Sequence, residues 1–288
     1  MITLSRERAL ELGSFLRRLG EEKIEIFITR DPQYQALEKL YRELGECYSL
    51  GLLVLLNSIV SYQLTSKGEE YWWEFASYKD FKRSVGDPDK LWDAFRVFLL
   101  SCKGNASLRE AKLRRITRIR EEEFHIEVYA KLEDFIKDLS SLVKRLSEIL
   151  RQNIDDKTIV FAAKMLFYVS KICGIRAGGF EGIKIPIDRR VAAVSYTSEL
   201  VDVVGVKDVI DAIMREKKTA LRAWGIVSET SSVPMIKLDS LIWFMGKYVR
   251  DKDPVERVVR DLSTSLREYI SVESARELAK QFLRRRIE

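Results

Sequence analysis

A single lysine in an otherwise apolar helix is the residue of this sequence best suited to chemistry. The run of residues 159–169 is apolar or aromatic throughout except for Lys164. A helix that is apolar on every side is buried, and a buried ammonium is costly unless it is paired or loses its proton. A neutral lysine amine is the nucleophile that Schiff-base chemistry requires. The alternative is that the Lys164 side chain extends to a nearby edge and reaches water.

A glycine-rich connection followed by an aspartate comes after this helix. Its glycines and the proline that follows them are Gly174, Gly178, Gly179, Gly182 and Pro186. Glycines allow backbone N–H groups to approach a phosphate closely. Asp188 is placed to cap the next helix, which is the usual role of an aspartate at such a position. A lysine before a glycine-rich hairpin and an aspartate after it, with a helix on each side, is nevertheless a specific combination.

The histidine and cysteine content excludes several kinds of metal site. His125 is the only histidine, which excludes mechanisms that need two, and its charged surroundings predict a solvated helix residue. Cys47, Cys102 and Cys173 include no CxxC pair, so cysteine alone cannot hold an iron–sulfur cluster within this chain. Sparse cysteines and an N-terminus without a signal-peptide core predict a soluble, intracellular protein without a disulfide framework.

Two basic clusters stand out in a chain of 288 residues with a net charge of +6. The first contains only one acid, and its basic members are Lys103, Arg109, Lys112, Arg114, Arg115, Arg118 and Arg120. The second is Arg284–Arg286, near the end of the sequence. Such density suits the phosphate backbone of a nucleic acid, but a solvated helix surface is an equal explanation.

The apolar pattern is helical along almost the whole chain. Apolar residues recur at helical spacing over Leu132–Leu150, and the Asp-Pro pairs at 87–88 and 253–254 are typical of helix starts. Ser274–Glu277 fits a capping box for the last helix. The segment Ile24–Ile28 is the one convincing strand candidate. We therefore predict an all-α fold with many helices.

Four blocks of sequence carry a family resemblance. They are residues 57–72 (NSIVSYQLTSKGEEYW), Ala163–Met165, Ile185–Ala192 and Leu238–Trp243. Together they resemble the archaeal 8-oxoguanine DNA glycosylase group, a divergent branch of the helix-hairpin-helix glycosylase superfamily. The resemblance implies one two-lobed, all-α glycosylase over residues 1–288. It also implies a helix-hairpin-helix core at roughly 140–204 and an active site in the cleft between the lobes.

The resemblance further implies how the site works. Lys164 would attack C1′ of the damaged nucleotide and form a Schiff base with the sugar. Asp188 would accept a proton from Lys164 or stabilise the positive charge that develops on the sugar. Loss of the 2′ proton would then allow β-elimination and strand cleavage, with no metal or organic cofactor. Gly178, Gly179 and Gly182 would hold backbone phosphates through their N–H groups.

The damaged base would have to leave the helix and enter a pocket with stacking surfaces and hydrogen-bond partners. Asp239 and Trp243 stand four residues apart and share one helix face. An aspartate can accept from purine N–H donors while a tryptophan stacks on the base, so this pair favours a purine. Tyr168 would add a second aromatic face beside the nucleophile. The substrate-binding residues that the resemblance implies are Gln33, Ser61, Trp72, Tyr168, Pro186, Asp239 and Trp243.

Several of these assignments have simpler alternatives. Trp72 and Trp243 could be core residues, and Gln33 and Ser61 could be surface polar residues. Trp73 stands beside Trp72 and is a second candidate for the pocket. The sequence also departs from the family pattern. The hairpin AGGFEG lacks the usual Leu-Pro-Gly-Val-Gly type of sequence, and a tyrosine replaces the family phenylalanine at position 168.

These observations together predict a bifunctional DNA N-glycosylase and lyase. We expect it to act on double- or single-stranded DNA containing 8-oxoguanine, as a cytoplasmic, nucleoid-associated monomer. One alternative is a related lysine-dependent glycosylase for an oxidised pyrimidine, although Asp239 and Trp243 favour a purine. The other is a non-catalytic helical DNA-binding protein, which would explain the charge but not the lysine in the apolar helix.

Overall fold

The structure is a computed structural model that describes residues 1–251 and 253–287. The described residues form seventeen α-helices, two strands and two 3₁₀ helices, Ile26–Arg30 and Lys79–Ser84. Up to residue 183 the helices and strands are β1 (Ile2–Leu4), α1 (Arg6–Leu19), α2 (Glu21–Glu25), α3 (Pro32–Leu44), α4 (Cys47–Val60), α5 (Gly68–Ala76), α6 (Pro88–Ser101), α7 (Arg109–Glu121), α8 (Phe124–Ala130), α9 (Leu132–Lys137), α10 (Leu139–Leu150) and α11 (Lys157–Cys173). Beyond it they are α12 (Arg189–Thr197), β2 (Val201–Val203), α13 (Val209–Arg215), α14 (Lys217–Ser231), α15 (Met235–Met245), α16 (Pro254–Ser265) and α17 (Val272–Phe282). The prediction of an all-α fold is confirmed.

The chain divides into two compact units. The central unit is Asp31–Ile183, and the terminal unit combines Met1–Arg30 with the described part of Lys184–Glu288. The boundary falls inside the region that the resemblance implies as a helix-hairpin-helix core. As a result, α11 belongs to the central unit and α12 to the terminal unit. The helix-hairpin-helix core and the two-lobed organisation with its cleft stay predictions.

The terminal unit joins the first and last parts of the chain. β1 pairs with β2 in antiparallel register, with Ile2 opposite Val203. α1 packs along α14 at close range, because a Cβ atom at Gly13 would lie 2.5 Å from the Cβ of Thr230. Trp224 of α14 is fully buried in the core beneath these elements. The small sheet therefore closes a helical unit whose two chain segments are distant in sequence.

Two apolar helices, α4 and α11, form the interior of the central unit. Every residue of α4 from Ser49 to Val60 is buried. A disulfide joins Cys47, the first residue of α4, to Cys173, the last residue of α11, with the Cα atoms 6.0 Å apart. The sparse cysteine count argued against a disulfide framework. Two of the three cysteines nevertheless pair, because the fold brings together residues that are 126 positions apart.

The segment Ile24–Ile28 is helical, so the predicted strand is wrong. It covers the end of α2 and the start of the first 3₁₀ helix. Ile24, Phe27 and Ile28 are buried, whereas the two residues between Ile24 and Phe27 are half-buried. Intervals of three and four residues place one side of a helix against the core. The β-branched residues suggested a strand, but burial follows the helical period.

Helix boundaries are partly as predicted. Helices do begin at the two Asp-Pro pairs, which confirms them as starts. The last helix is capped by Ser271, whose Oγ accepts from the N–H of Ser274 at 3.1 Å, so the predicted capping box begins three residues too late. The apolar stripe over 132–150 is two helices rather than one. It breaks at Asp138, whose Oδ1 accepts from the N–H of Ser141 at 3.3 Å and caps α10.

His125 is buried, which contradicts the solvated position expected for it. It is 2% exposed, and its Nε2 lies 3.1 Å from Oδ1 of Asp89. Phe124, His125 and Val128 form the buried side of α8, whereas the glutamates just before them are exposed. The charged residues at 121–123 suggested an exposed helix, but His125 lies on its buried side.

Two further properties hold for residues 1–251 and 253–287. Within these ranges no helix is both long enough and apolar enough to cross a membrane. The same residues contain no group of three or more His, Cys, Asp or Glu side chains arranged to hold a metal ion.

Candidate active site

Lys164 lies in the middle of α11, inside the central unit. The residue is 2% exposed, which excludes the alternative that its side chain reaches water. Its Nζ donates to Oδ2 of Asp31 at 3.3 Å. The hydroxyl of Tyr168, one turn along α11, donates to the same oxygen at 2.7 Å. The predicted burial is confirmed, and the partner that a buried ammonium requires is a carboxylate.

Asp31 is a residue of this site that sequence reasoning missed. It caps α3, because its Oδ1 accepts from the N–H of Gln33 at 2.9 Å and Pro32 is the first residue of the helix. Its carboxylate therefore caps a helix and also accepts a hydrogen bond from Lys164. The Asp-Pro dipeptide that indicates two other helix starts occurs here too, and it would have identified the cap. The contact with Lys164 spans 133 positions, so no local pattern reveals it.

Asp188 caps α12 in the terminal unit. Its Oδ1 accepts from the N–H groups of Arg190 and Val191, each at 2.9 Å, and the residue is half-buried. The capping role expected at this position is confirmed. The cap fixes the carboxylate at the N-terminus of a helix, where the helix dipole stabilises its negative charge. The catalytic role of Asp188 stays a prediction.

The glycine-rich connection pairs with backbone of its own unit. The N–H of Gly178 donates to the carbonyl of Ile136 at 3.1 Å, and the carbonyl of Gly178 accepts from the N–H of Leu139 at 3.0 Å. A Cβ atom at Gly178 would lie 2.6 Å from a backbone oxygen of α9, so the close approach requires glycine. The predicted phosphate contact through the N–H of Gly178 is therefore corrected, because that group is already used. Gly179 and Gly182 have positive φ angles of 62° and 76°, and their phosphate contacts stay predictions.

The terminal unit places Asp239 and Trp243 one turn apart on α15, as their spacing predicts. Asp239 is buried, whereas Trp243 is half-buried. The guanidinium carbon of Arg190 lies 4.0 Å from the centroid of the Trp243 ring, and the Nζ of Lys247 lies 4.7 Å from it. Trp243 is thus a stacking surface for cations rather than an apolar core residue. Pro186 is buried just before α12. The substrate-binding roles of these residues stay predictions.

Three further predicted pocket residues lie in the central unit. Gln33 is half-buried and belongs to the first turn of α3, next to the Asp31 cap. Ser61 is half-buried at the end of α4, where its hydroxyl donates to the carbonyl of Asn57 at 2.7 Å. Tyr168 is fully buried beside Lys164. The backbone N–H of Gln33 and the hydroxyl of Tyr168 therefore both donate to Asp31, whereas the hydroxyl of Ser61 donates at the end of α4.

Trp72 and Trp73 occupy different environments in the central unit. Trp72 is fully buried, with Phe75 and Phe161 in edge contact at centroid distances of 5.5 Å and 6.0 Å. Trp73 is exposed, and the Nζ of Lys39 lies 6.0 Å from its ring centroid. Trp72 therefore belongs to the aromatic core, the alternative that the sequence left open. A role for Trp72 in base binding stays a prediction.

The first basic cluster is partly internal rather than a continuous phosphate-binding face. Lys112 is fully buried, donates to Oδ1 of Asn105 and lies 4.9 Å from the ring centroid of Tyr62. Arg120 pairs with two aspartates of α6. In the second cluster, residues 284 and 285 also form ion pairs with acidic residues. Internal pairing therefore accounts for part of the charge that suggested a nucleic acid.

The buried Lys112 should make stability depend on pH. Burial lowers the pKa of Lys112 to about 8, whereas an unfolded chain gives lysine a pKa near 10.4. Between these values the unfolded chain binds more protons than the folded one, so stability rises with pH. We expect the wild type to gain about 1 kcal/mol in free energy of unfolding relative to Lys112→Met between about pH 7.5 and 9. Urea unfolding across this range measures the difference.

Two features keep this comparison specific to Lys112. Burial raises the pKa of the Cys102 thiol to about 11, and Lys112 is one of the cations that oppose this rise, so Lys112→Met raises that pKa further. The folded thiol therefore stays protonated in both proteins between about pH 7.5 and 9, and its contribution largely cancels in the difference. Arg118, an exposed residue of the same helix, provides the control, and Arg118→Met should run parallel to the wild type. A Lys112→Met curve parallel to the wild type would contradict the prediction.

Comparisons with known proteins agree with the resemblance seen in the sequence. The sequence model of the AGOG family, described as N-glycosylase/DNA lyase, matches residues 13–280. N-glycosylase/DNA lyases from Aeropyrum pernix and Methanococcus maripaludis are each 32% identical to the chain, over 78% and 77% of its length and 77% and 79% of theirs. The crystal structure of an 8-oxoguanine DNA glycosylase from Pyrobaculum aerophilum, complexed with 8-oxoguanosine, matches with a TM-score of 0.72 at 26% identity. The match covers 97% of this chain and 96% of that one.

Proposed function

The chain belongs to the AGOG family of N-glycosylase/DNA lyases, and on that basis we propose that it excises 8-oxoguanine from DNA and then cleaves the strand by β-elimination. The observation that carries the proposal is the buried amine of Lys164, held against a carboxylate within an apolar helix. The Pyrobaculum aerophilum relative, similar over 97% of this chain, was crystallised with 8-oxoguanosine, which supports the choice of base.

Lys164 supplies the nucleophile of the reaction. Its ammonium first loses a proton, and the neutral amine then attacks C1′ of the damaged nucleotide. The bond from C1′ to the base breaks, and the base leaves with the electron pair. Opening of the sugar ring gives a Schiff base between Nζ and C1′, and loss of the 2′ proton expels the 3′ phosphate. Asp188 accepts the lysine proton or stabilises the positive charge on the sugar.

Asp239 and Trp243 recognise the extruded base. Guanine accepts hydrogen bonds at N7, whereas 8-oxoguanine carries a hydrogen there, so a carboxylate attracts the oxidised base and repels the normal one. The base stacks on Trp243 where the Arg190 guanidinium now lies, 4.0 Å from the ring centroid. The other substrate contacts in the proposal come from Gln33, Ser61, Trp72, Tyr168 and Pro186.

The proposal also covers the setting in which the enzyme works. It acts as a monomer on double- or single-stranded DNA, in the cytoplasm and in association with the nucleoid. The net charge of +6 supports attraction to the DNA backbone. A lysine amine and carboxylates supply the chemistry, so the proposal includes no metal or organic cofactor.

Borohydride trapping across a panel of lesions tests the proposed function. Borohydride reduces the Schiff base to a stable amine and leaves the protein covalently joined to the DNA. We expect trapping on a duplex with 8-oxoguanine and at least about tenfold less on matched duplexes with guanine or an oxidised pyrimidine. Preferential trapping on the oxidised pyrimidine would assign a different substrate. DNA binding without trapping on any lesion would contradict an enzymatic role.

Removal of the residues that recognise the base should weaken the choice of base. We expect Asp239→Ala to lower the ratio of excision rates for 8-oxoguanine over guanine by roughly tenfold to a hundredfold, because a hydrogen bond to a charged group contributes about 1.5–3 kcal/mol. Trp243→Ala should lower the ratio through lost stacking. Single-turnover excision on both duplexes measures it. Tyr269→Ala, which removes an exposed aromatic residue of the same unit, should keep the ratio. An unchanged ratio in both test variants would place base recognition elsewhere.

A further inference from the structure

We infer that Asp31 is a positioning residue for the reaction, which holds the amine of Lys164 in place and sets the pH range in which that amine is nucleophilic. The inference rests on the proposed function, since it concerns the same lysine. It adds a carboxylate to the site that neither the sequence pattern nor the chemistry above includes. The key contact is the 3.3 Å hydrogen bond from Nζ of Lys164 to Oδ2 of Asp31.

The two carboxylate oxygens of Asp31 have separate tasks. Oδ1 accepts from the N–H of Gln33 at 2.9 Å and caps α3, whereas Oδ2 accepts from Lys164 and Tyr168. The residue is 2% exposed, and Pro32 restricts the backbone next to it. A carboxylate anchored through one oxygen and buried on all sides has little freedom to turn. The oxygen that faces Lys164 is therefore held in a defined place.

Two pairs of residues connect the start of α3 to α11. Asp31 and Tyr34 are three residues apart at the start of α3, and Lys164 and Tyr168 are four apart on α11. The ring of Tyr34 meets the ring of Tyr168 edge-on, with centroids 5.6 Å apart and planes at 81°. The hydroxyl of Tyr168 reaches the same oxygen as Lys164, at 2.7 Å. The amine therefore lies against a packed surface, and Asp31 determines where that surface carries charge.

Within the central unit, the charges near Lys164 come from the helices packed against α11. α3 presents Asp31 and Tyr34, and α4 contains no acidic or basic residue. The charged residues of α9 and α10 are exposed or half-buried. A nearby carboxylate favours the charged form of an amine, whereas burial favours the neutral form. Asp31 therefore opposes the effect of burial and keeps the lysine protonated until the pH is higher.

Asp31→Asn removes the negative charge of the side chain and keeps its size and shape. Asparagine is as good a helix cap as aspartate, so α3 should keep its start while the charge is lost. We expect the midpoint of the pH profile of single-turnover trapping to move to lower pH by about one unit or more. We also expect the limiting rate at high pH to fall by roughly tenfold, because the amine is no longer held in position. The affinity for DNA with 8-oxoguanine should stay within about threefold of the wild type.

A second variant tests the inference independently. Tyr168→Phe removes one hydrogen bond from Oδ2 and leaves the charge of Asp31 unchanged. Oδ2 then loses the hydrogen bond from Tyr168 and keeps the one from Lys164, so we expect the midpoint to move the other way, to higher pH. Asp87→Asn is the matched control, because Asp87 is also an Asp-Pro helix cap of the central unit and accepts from the N–H of Lys90. It should leave both the midpoint and the rate unchanged.

The outcomes separate this inference from the proposed function. If the wild type does not trap on 8-oxoguanine DNA, the proposed function fails. If the wild type traps but Asp31→Asn keeps the wild-type midpoint, only the inference about Asp31 is wrong. A parallel loss of DNA affinity and trapping in Asp31→Asn would reduce the residue to a structural cap. Opposite shifts of the midpoint in Asp31→Asn and Tyr168→Phe would support the inference.

Discussion

Lys164→Gln should abolish covalent trapping and strand cleavage on DNA that contains 8-oxoguanine. We expect the rates of both to fall by at least about a thousandfold, because removal of a covalent nucleophile leaves only binding and electrostatic effects. The glutamine amide can still donate a hydrogen bond to Oδ2 of Asp31, which now accepts from the lysine. The change should therefore remove the chemistry while the central unit stays folded. Borohydride trapping and denaturing gels of the cleaved strand measure the two effects.

The matched control for this variant is another lysine of the same helix. Lys171 is exposed near the end of α11, and Lys171→Gln should trap and cleave like the wild type. Thermal unfolding and DNA affinity should be similar in all three proteins. Trapping that survives Lys164→Gln would assign the Schiff base to a different amine. Loss of the folded state in Lys164→Gln would show that the lysine is needed for packing.

Asp188→Asn should lower turnover by roughly a hundredfold to ten-thousandfold with little change in DNA affinity. Asparagine can keep the two hydrogen bonds that Oδ1 accepts from the N–H groups of Arg190 and Val191. The variant therefore keeps the helix cap and loses the negative charge that, in the proposed mechanism, accepts a proton or stabilises the sugar cation. Single-turnover excision and equilibrium DNA binding, measured side by side, test the prediction.

A second capping aspartate of the terminal unit provides the control. Asp208 caps α13 by accepting from the N–H of Asp211 at 2.9 Å. Asp208→Asn should keep wild-type turnover, since the change alters a cap that has no place in the proposed chemistry. If Asp188→Asn loses DNA affinity as much as turnover, Asp188 acts mainly as the cap that shapes the start of α12. Equal losses in the two variants would point to a general effect of helix capping.

Local sequence patterns predict much of this molecule correctly. The helical period and the Asp-Pro starts predict the all-α fold, and the apolar run around Lys164 predicts its burial. The spacing of Asp239 and Trp243 predicts their shared face on α15. In each case the cause lies within one or two turns of helix, so the neighbouring residues contain the information.

Features that depend on distant parts of the chain could not be predicted in this way. The contact between Lys164 and Asp31 spans 133 positions, and the disulfide spans 126. Lys112 and His125 are buried within segments whose composition suggests a solvated surface. The N–H of Gly178 donates to the carbonyl of Ile136, and the close approach of Gly178 to the backbone of α9 explains the glycine without a phosphate. In each case the decisive partner comes from another element.

The disulfide between Cys47 and Cys173 closes most of the central unit into one covalent ring. Lys164 lies inside that ring. One hydrolysed peptide bond anywhere between the two cysteines therefore leaves fragments that remain joined, and the lysine-bearing helix stays attached to the rest of the unit. A nicked molecule of this kind migrates as a single chain until a reductant separates it. Whether the fragments of a cleaved chain stay together therefore depends on whether the surroundings keep this disulfide oxidised.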